Sequence, residues 1–178
     1  MDRKLIITIH MYLAAFFAPA VLLMAISGGL YLVGIKGDVE EKTIFTSQAS
    51  IDPASTSLKA DVDKLLVEAG VTSFDYEYVK VSGDRLYTRP TSSDHYIIES
   101  SDTAIEVIQA QPSLQKRMIE LHKGHGPTLF KTFQQVFAVG LIFIMLSGLW
   151  LGLSNKRLRR STLITAASGM ALFALLLL

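Results

Sequence analysis

The chain has 178 residues, half of them hydrophobic, with 17 Lys and Arg against 16 Asp and Glu for a formal net charge of +1, and no cysteine. A mean hydropathy of +0.38 places it with membrane proteins. The missing thiols exclude a disulfide framework, a CxxC redox pair and a thiolate metal site, and no soluble face gathers enough cations for nucleic acid.

The charge is segregated. Lys36–Lys131 holds 15 acidic and 11 basic residues, whereas Arg3, Lys4, Lys156, Arg157, Arg159 and Arg160 in the flanks oppose only Asp2. An acidic middle between basic edges is the pattern of one outside domain and two cytoplasmic edges. Residues 1–35 form the first expected transmembrane helix, because Leu5–Ile35 carries no charge. That run exceeds the h-region of a signal peptide and lacks a small-x-small cleavage site, so it reads as a retained span. Pro19 inside it can kink it, which neighbouring helices accommodate. Tyr31 near its outer end, and Trp150 near the inner end of the second span, suit aromatic belts or plain packing equally well.

Residues 36–112 form the outside domain. Gly34–Asp52 reads as a polar connector. Leu58, Val62, Leu65, Leu66 and Ala69 then recur at helical spacing, with Ser57 as the expected N-cap and Gly70 as the stop. Phe74, Tyr76 and Tyr78 alternate with Asp75 and Glu77 as a strand. After the turn at Ser82-Gly83-Asp84, Arg85–Arg89, His95–Glu99 and Ala104–Gln109 complete a sheet of about four strands under one helix. This is a small α+β unit, and His95 reads as an exposed strand residue. Pro112 ends the sheet.

Residues 113–128 are an amphipathic helix and a His/Gly linker. Leu114, Met118, Leu121 and His122 share a face of the helix, and Gly124, Gly126 and Pro127 break the backbone. The uncharged run Thr132–Asn155 makes residues 129–155 a second span. Residues 156–160 are a basic loop that the positive-inside rule puts in the cytoplasm. Residues 161–178, softened by Thr162, Thr165, Ser168 and Gly169, read as a third span. The fold class is therefore membrane α-helical with a small α+β extramembrane domain, its N-terminus in the cytoplasm.

Polar groups within spans are functional candidates by default. His10 lies six residues past Lys4, about 9 Å along the helix. Ser147, nine residues before Lys156 on an antiparallel span, is its expected partner. Gly148 and Gly152 make a GxxxG, and Ala25 and Gly29 a second small-residue pair, so these positions with Gly28 are expected to pack helices closely. His122 and His125 form an H-x-x-H pair near the opposite face. As metal ligands they lack a companion other than Glu120; imidazole is also the usual axial ligand of haem. A bis-His haem needs both nitrogens at one depth, and most of the roughly 30 Å core separates His10 from His122 and His125. No nucleophile constellation, phosphate loop or membrane carboxylate is present, so hydrolase and proton-coupled transporter readings fall away.

Several short motifs, in order, resemble the PepSY-associated transmembrane helix family, also called iron-regulated membrane proteins. Ile9-His10 leads to Ser27-Gly28-Gly29-Leu30-Tyr31-Leu32, a PepSY-like domain occupies Leu58–Gln109, and Leu121-His122-Lys123-Gly124 leads to Ser147-Gly148-Leu149-Trp150-Leu151. The family's Val-Asp-x-x-Thr-Gly-like turn is altered here to Ile98-Glu99-Ser100-Ser101-Asp102-Thr103-Ala104. The resemblance implies a bacterial inner (cytoplasmic) membrane protein with its PepSY-like domain in the periplasm, acting in iron or haem physiology. Larger relatives have four or more spans, bind haem and are linked to ferric-siderophore reduction. With three spans, this chain is expected to lack catalysis of its own and to engage the lipid bilayer and another membrane protein, or a second copy as a homodimer. The competing expectation is a haem-dependent oxidoreductase subunit holding haem b through His10, His122 and His125.

Overall fold

A computed structural model describes residues 2–101 and 104–178. Met1 of the basic start, and Asp102 and Thr103 of the altered turn, lie outside the described residues. In order, the elements are α1 (Arg3–Leu32), β1 (Val39–Ser47), α2 (Leu58–Glu68), β2 (Tyr78–Ser82), β3 (Arg85–Arg89), β4 (His95–Ser100), β5 (Ile105–Pro112), α3 (Leu114–His122), α4 (Thr128–Ser154) and α5 (Arg159–Leu177). Three of them, α1, α4 and α5, are long and apolar enough to cross a membrane. The chain divides into two compact units: Leu22–Gln134, and the chain up to Val21 together with Gln135–Leu178.

The first of these is built on a five-stranded antiparallel sheet in the order β1-β5-β4-β3-β2. The helical face read from spacing is the one buried: Val62, Leu65 and Leu66 of α2 are at most 3% exposed and pack with Leu86, Ile98, Ile105 and Val107 of the sheet. Each such side chain, fully removed from water, contributes about 1.5–3 kcal/mol before conformational entropy is counted. Tyr76 closes this core, its hydroxyl donating to Asp63 Oδ1 at 2.6 Å. Burial and the Asp63 carboxylate both push that phenol well above its ordinary value.

Five local expectations are corrected. The polar connector contains a strand, β1, paired antiparallel with β5 along Val39–Ser47. Its signal was masked because an edge strand carries charge on its open face, here Glu40 and Lys42, and because a bulge between Thr43 and Phe45 breaks the alternation. The strand expected at Phe74–Tyr78 begins only at Tyr78. Ser57 stands at the N-cap of α2, but its hydroxyl donates to Asp61 rather than capping a backbone N–H. His95 is 6% exposed, on an inner strand flanked by β3 and β5. In α3 the buried residues are Ile119 and Glu120, whereas Leu114 is exposed.

The other unit is helical. Phe17, Ala20 and Phe137 are buried, with the Phe17 and Phe137 rings 5.5 Å apart. Phe17 lies directly over Gly140, where an added Cβ would collide with its ring. A Cβ at Gly152 would come 2.6 Å from the Thr162 hydroxyl of α5. Glycine thus sets the closeness of approach, as expected where lipid is as apolar as the side chains.

Candidate functional site

In the helical unit, His10 Nδ1 is 2.8 Å from Ser147 Oγ. The Ser147 hydroxyl donates its single proton to the Ile144 carbonyl at 3.1 Å. A serine that gives its proton to that carbonyl accepts from the imidazole, which is the arrangement of an Nδ1–H tautomer with the Nε2 lone pair free. Gly148 makes room, since a Cβ there would stand 3.2 Å from His10 Cε1.

The same arrangement recurs in the sheet unit with other residues. His122 Nδ1 is 2.9 Å from Ser27 Oγ, and the Ser27 hydroxyl donates to the Leu23 carbonyl at 2.7 Å. The same donor order here corresponds to an Nδ1–H tautomer. Gly28 supplies the clearance, its Cβ position lying 3.3 Å from His122 Cε1. Ser27 is 1% exposed. Each unit thus contains one clasp made of a histidine, a serine and the glycine that follows the serine.

His125 has a different partner. α3 ends at Lys123 and Gly124, where φ of +77° suits glycine, and the His125 N–H returns to the Glu120 carbonyl at 2.9 Å. That turn brings His125 Nδ1 within 2.6 Å of Glu120 Oε2. The Thr91 hydroxyl donates to the same oxygen at 2.8 Å. Lys116 and Lys123 stand 3.5 and 3.7 Å from Oε1, and Arg89 4.0 Å from Oε2. Burial alone would raise the Glu120 pKa, but hydrogen bonds from His125 and Thr91 and the charges of His125 and Lys116 outweigh it. The carboxyl is held at about 2. Arg89 Nε is buried with no hydrogen-bond partner among the described residues. His95 donates from Nδ1 to the Ser93 carbonyl at 2.9 Å, and burial, reinforced by the Arg89 charge, lowers its pKa.

A further contact ties the sheet to the start of α4. The Glu77 carboxylate accepts the Thr128 backbone N–H at 2.7 Å and its hydroxyl at 2.6 Å. A carboxylate at a helix N-terminus meets both the unpaired donors and the favourable end of the dipole. These two bonds lower its pKa.

Of the residues singled out by sequence, Gly28, Ser147, Gly148 and Gly152 lie against side chains of other segments. Gly29 has nothing within 4 Å of its Cβ position, and Ala25 is exposed. The Nε2 atoms of His10, His122 and His125 have no hydrogen-bond partner among the described residues. Among those residues there is also no group of three or more His, Cys, Asp or Glu placed to hold a metal ion. Ser27 as the partner of His122 was not read from sequence. Its signal is the repeated Ser-Gly pair, 27–28 and 147–148. Arg89 and Thr91 had no signal, since both sit in turn-flanking sequence of ordinary composition.

A membrane protein with apolar helices and a small α+β domain, two of its histidines, His10 and His122, clasped by Ser-Gly pairs, is the class these observations define. The sequence profile of the family described as "Putative PepSY_TM-like" matches residues 6–178. The chain belongs to that family. No curated protein matches it, and no solved structure does.

Proposed function

We propose that the protein is a bacterial inner-membrane accessory protein, with its N-terminus in the cytoplasm and its PepSY-like domain, residues 36–112, in the periplasm. That domain and the small-residue helices engage another membrane protein or a second copy, in iron or haem physiology. The supporting observation is α5, none of whose residues is buried within the chain. That helix presents Thr165 and Gly169 four residues apart, with nothing within 4 Å of the Gly169 Cβ position. Small residues at this spacing let a second helix approach closely.

The absence of native cysteine makes the test direct. Thr165→Cys carrying a thiol-attached photoreactive group should cross-link in native membranes into one product of defined mass, and adding Gly169→Leu should abolish it. No product from Thr165→Cys at expression levels where the chain is abundant overturns the reading. Sidedness is tested the same way: Arg3→Cys should be labelled only from the cytoplasm and Lys123→Cys only from the periplasm.

The Nε2 lone pairs favour a second reading, a haem-binding redox subunit. An imidazole whose Nδ1–H is held by a protein acceptor is oriented to ligate through Nε2. His10, His122 and His125 each fit one axial position on haem b, which when bound would supply one-electron chemistry. The residues present supply one clasped imidazole per unit, so the second ligand would come from a second copy or another subunit. Purified membranes from cells with ample haem should then show a Soret band that is lost in His10→Ala or His122→Ala.

A further inference from the structure

We propose that the cavity beside the last turn of α1 is a binding site for one anionic phospholipid. The cavity has a volume of about 350 Å³ and is lined chiefly by Gly28, Tyr31, Leu32, Ile119 and His122, with Lys123 at its edge. Its walls are apolar. The Ser27 hydroxyl among them is already committed to the Leu23 carbonyl and His122. Two ammonium groups converge on the Tyr31 ring that lines it: Lys36 Nζ lies 5.1 Å and Lys123 Nζ 5.5 Å from its centroid.

The local charge is unbalanced. Lys36 has no carboxylate partner among the described residues. Lys123 has Glu120 alone, at 3.7 Å, and that carboxylate is shared with Lys116, Arg89 and His125. The rim therefore carries surplus positive charge.

Position supplies the rest. Lys36 is the first charge after the uncharged run Leu5–Ile35, so the ring and its two cations mark the level where hydrocarbon gives way to water. An amphiphile with an anionic head and an acyl chain matches a cationic rim over an apolar wall. A zwitterionic lipid would leave the surplus charge unanswered, and a free inorganic anion would leave the apolar cavity unfilled. Basic side chains at a membrane surface attract anionic lipid headgroups, and aromatic rings sit at headgroup level. The argument holds whichever leaflet the site faces.

The test is native mass spectrometry of the full chain in mild detergent, with equal amounts of phosphatidylglycerol and phosphatidylcholine added. One phosphatidylglycerol should be retained per chain, preferred by at least about fivefold, given the typical worth of each cation near an anionic surface. The double variant Lys36→Gln, Lys123→Gln should reduce the preference to near parity. Lys36→Arg with Lys123→Arg should keep it, which separates lost charge from lost folding. Lys131→Gln, a cation held elsewhere by Tyr78, should leave it unchanged. Equal retention of both lipids, a preference that survives in the double Gln variant, or displacement of the lipid by millimolar inorganic phosphate would each overturn the proposal.

Discussion

The two units of this chain are held together by different physics. The sheet unit buries large aliphatic side chains, Leu66, Ile97, Ile98, Ile105, Val62 and Val107, each at most 2% exposed. The helical unit buries few, and most of its apolar surface, from Tyr12 and Phe16 to Leu176, remains exposed. In water the first arrangement is driven by the hydrophobic effect. In a bilayer the second gains little from burial, so shape and a few polar contacts must specify which faces meet. Yet both units use the same device, a histidine donating to a back-bonded serine over a glycine. What differs is how much else each unit has to rely on.

The largest expected effect lies in the aliphatic core. Leu66→Ala should destabilise the sheet unit by about 2–5 kcal/mol. Leu172→Ala, on the exposed face of α5, should change stability by less than about 0.5 kcal/mol. Thermal unfolding followed by limited proteolysis would separate the two; comparable losses would erase the distinction between the units.

Next comes Glu120. Glu120→Gln should cost about 2 kcal/mol, because hydrogen bonds to a charged acceptor are weakened and nearby cations lose their counter-charge. The pH dependence has a definite sign. The folded pKa lies near 2 against an ordinary 4.5, so the stabilisation is present above the unfolded value and is lost as pH falls from about 4.5 towards 2. A melting-temperature profile should decline through that window in the native chain and flatten in Glu120→Gln.

Smaller, and opposite in sign, are two glycine substitutions. Gly152→Ala pushes a methyl against Thr162 and should destabilise the helical unit by about 1 kcal/mol or more. Gly29→Ala meets nothing and should stabilise its helix by up to about 1 kcal/mol. Helix-content melts in detergent would read both. The smallest effects are Ser27→Ala, about 1 kcal/mol for an ordinary hydrogen bond, and Ser147→Ala, about 0.6 kcal/mol for a polar contact between membrane helices. A much larger loss at Ser27 than at Ser147 would mean that the two clasps are not equivalent.

Spans and the α2 core were legible because both rest on long periodic signals: unbroken apolar runs, and Val62, Leu65 and Leu66 at helical spacing. The His10–Ser147 pairing followed from counting residues to the nearest flanking cations on two antiparallel spans. What escaped depended on neighbours that are distant in sequence. β1 carries charge because its open face is an edge, and nothing in Val39–Ser47 states that β5 will cover the other side. His95 looked polar and exposed between Asp94 and Tyr96, and only its place in an inner strand buries it. The Glu120 cluster draws on Arg89 and Thr91 from a turn, α3, and the loop at His125, a convergence no local pattern encodes. Ser27 was visible as half of a Ser-Gly pair, but its partner lies 95 residues away.

The central claim is that serine fixes His10 and His122 as Nδ1–H tautomers with free Nε2. Nitrogen-15 NMR of histidine-labelled protein above the imidazole titration range measures this directly. The account predicts a protonated Nδ1 and an unprotonated Nε2 at both residues, with the preference relaxing at His122 in Ser27→Ala and at His10 in Ser147→Ala. Nε2–H tautomers at His10 and His122 in the unaltered chain would contradict it.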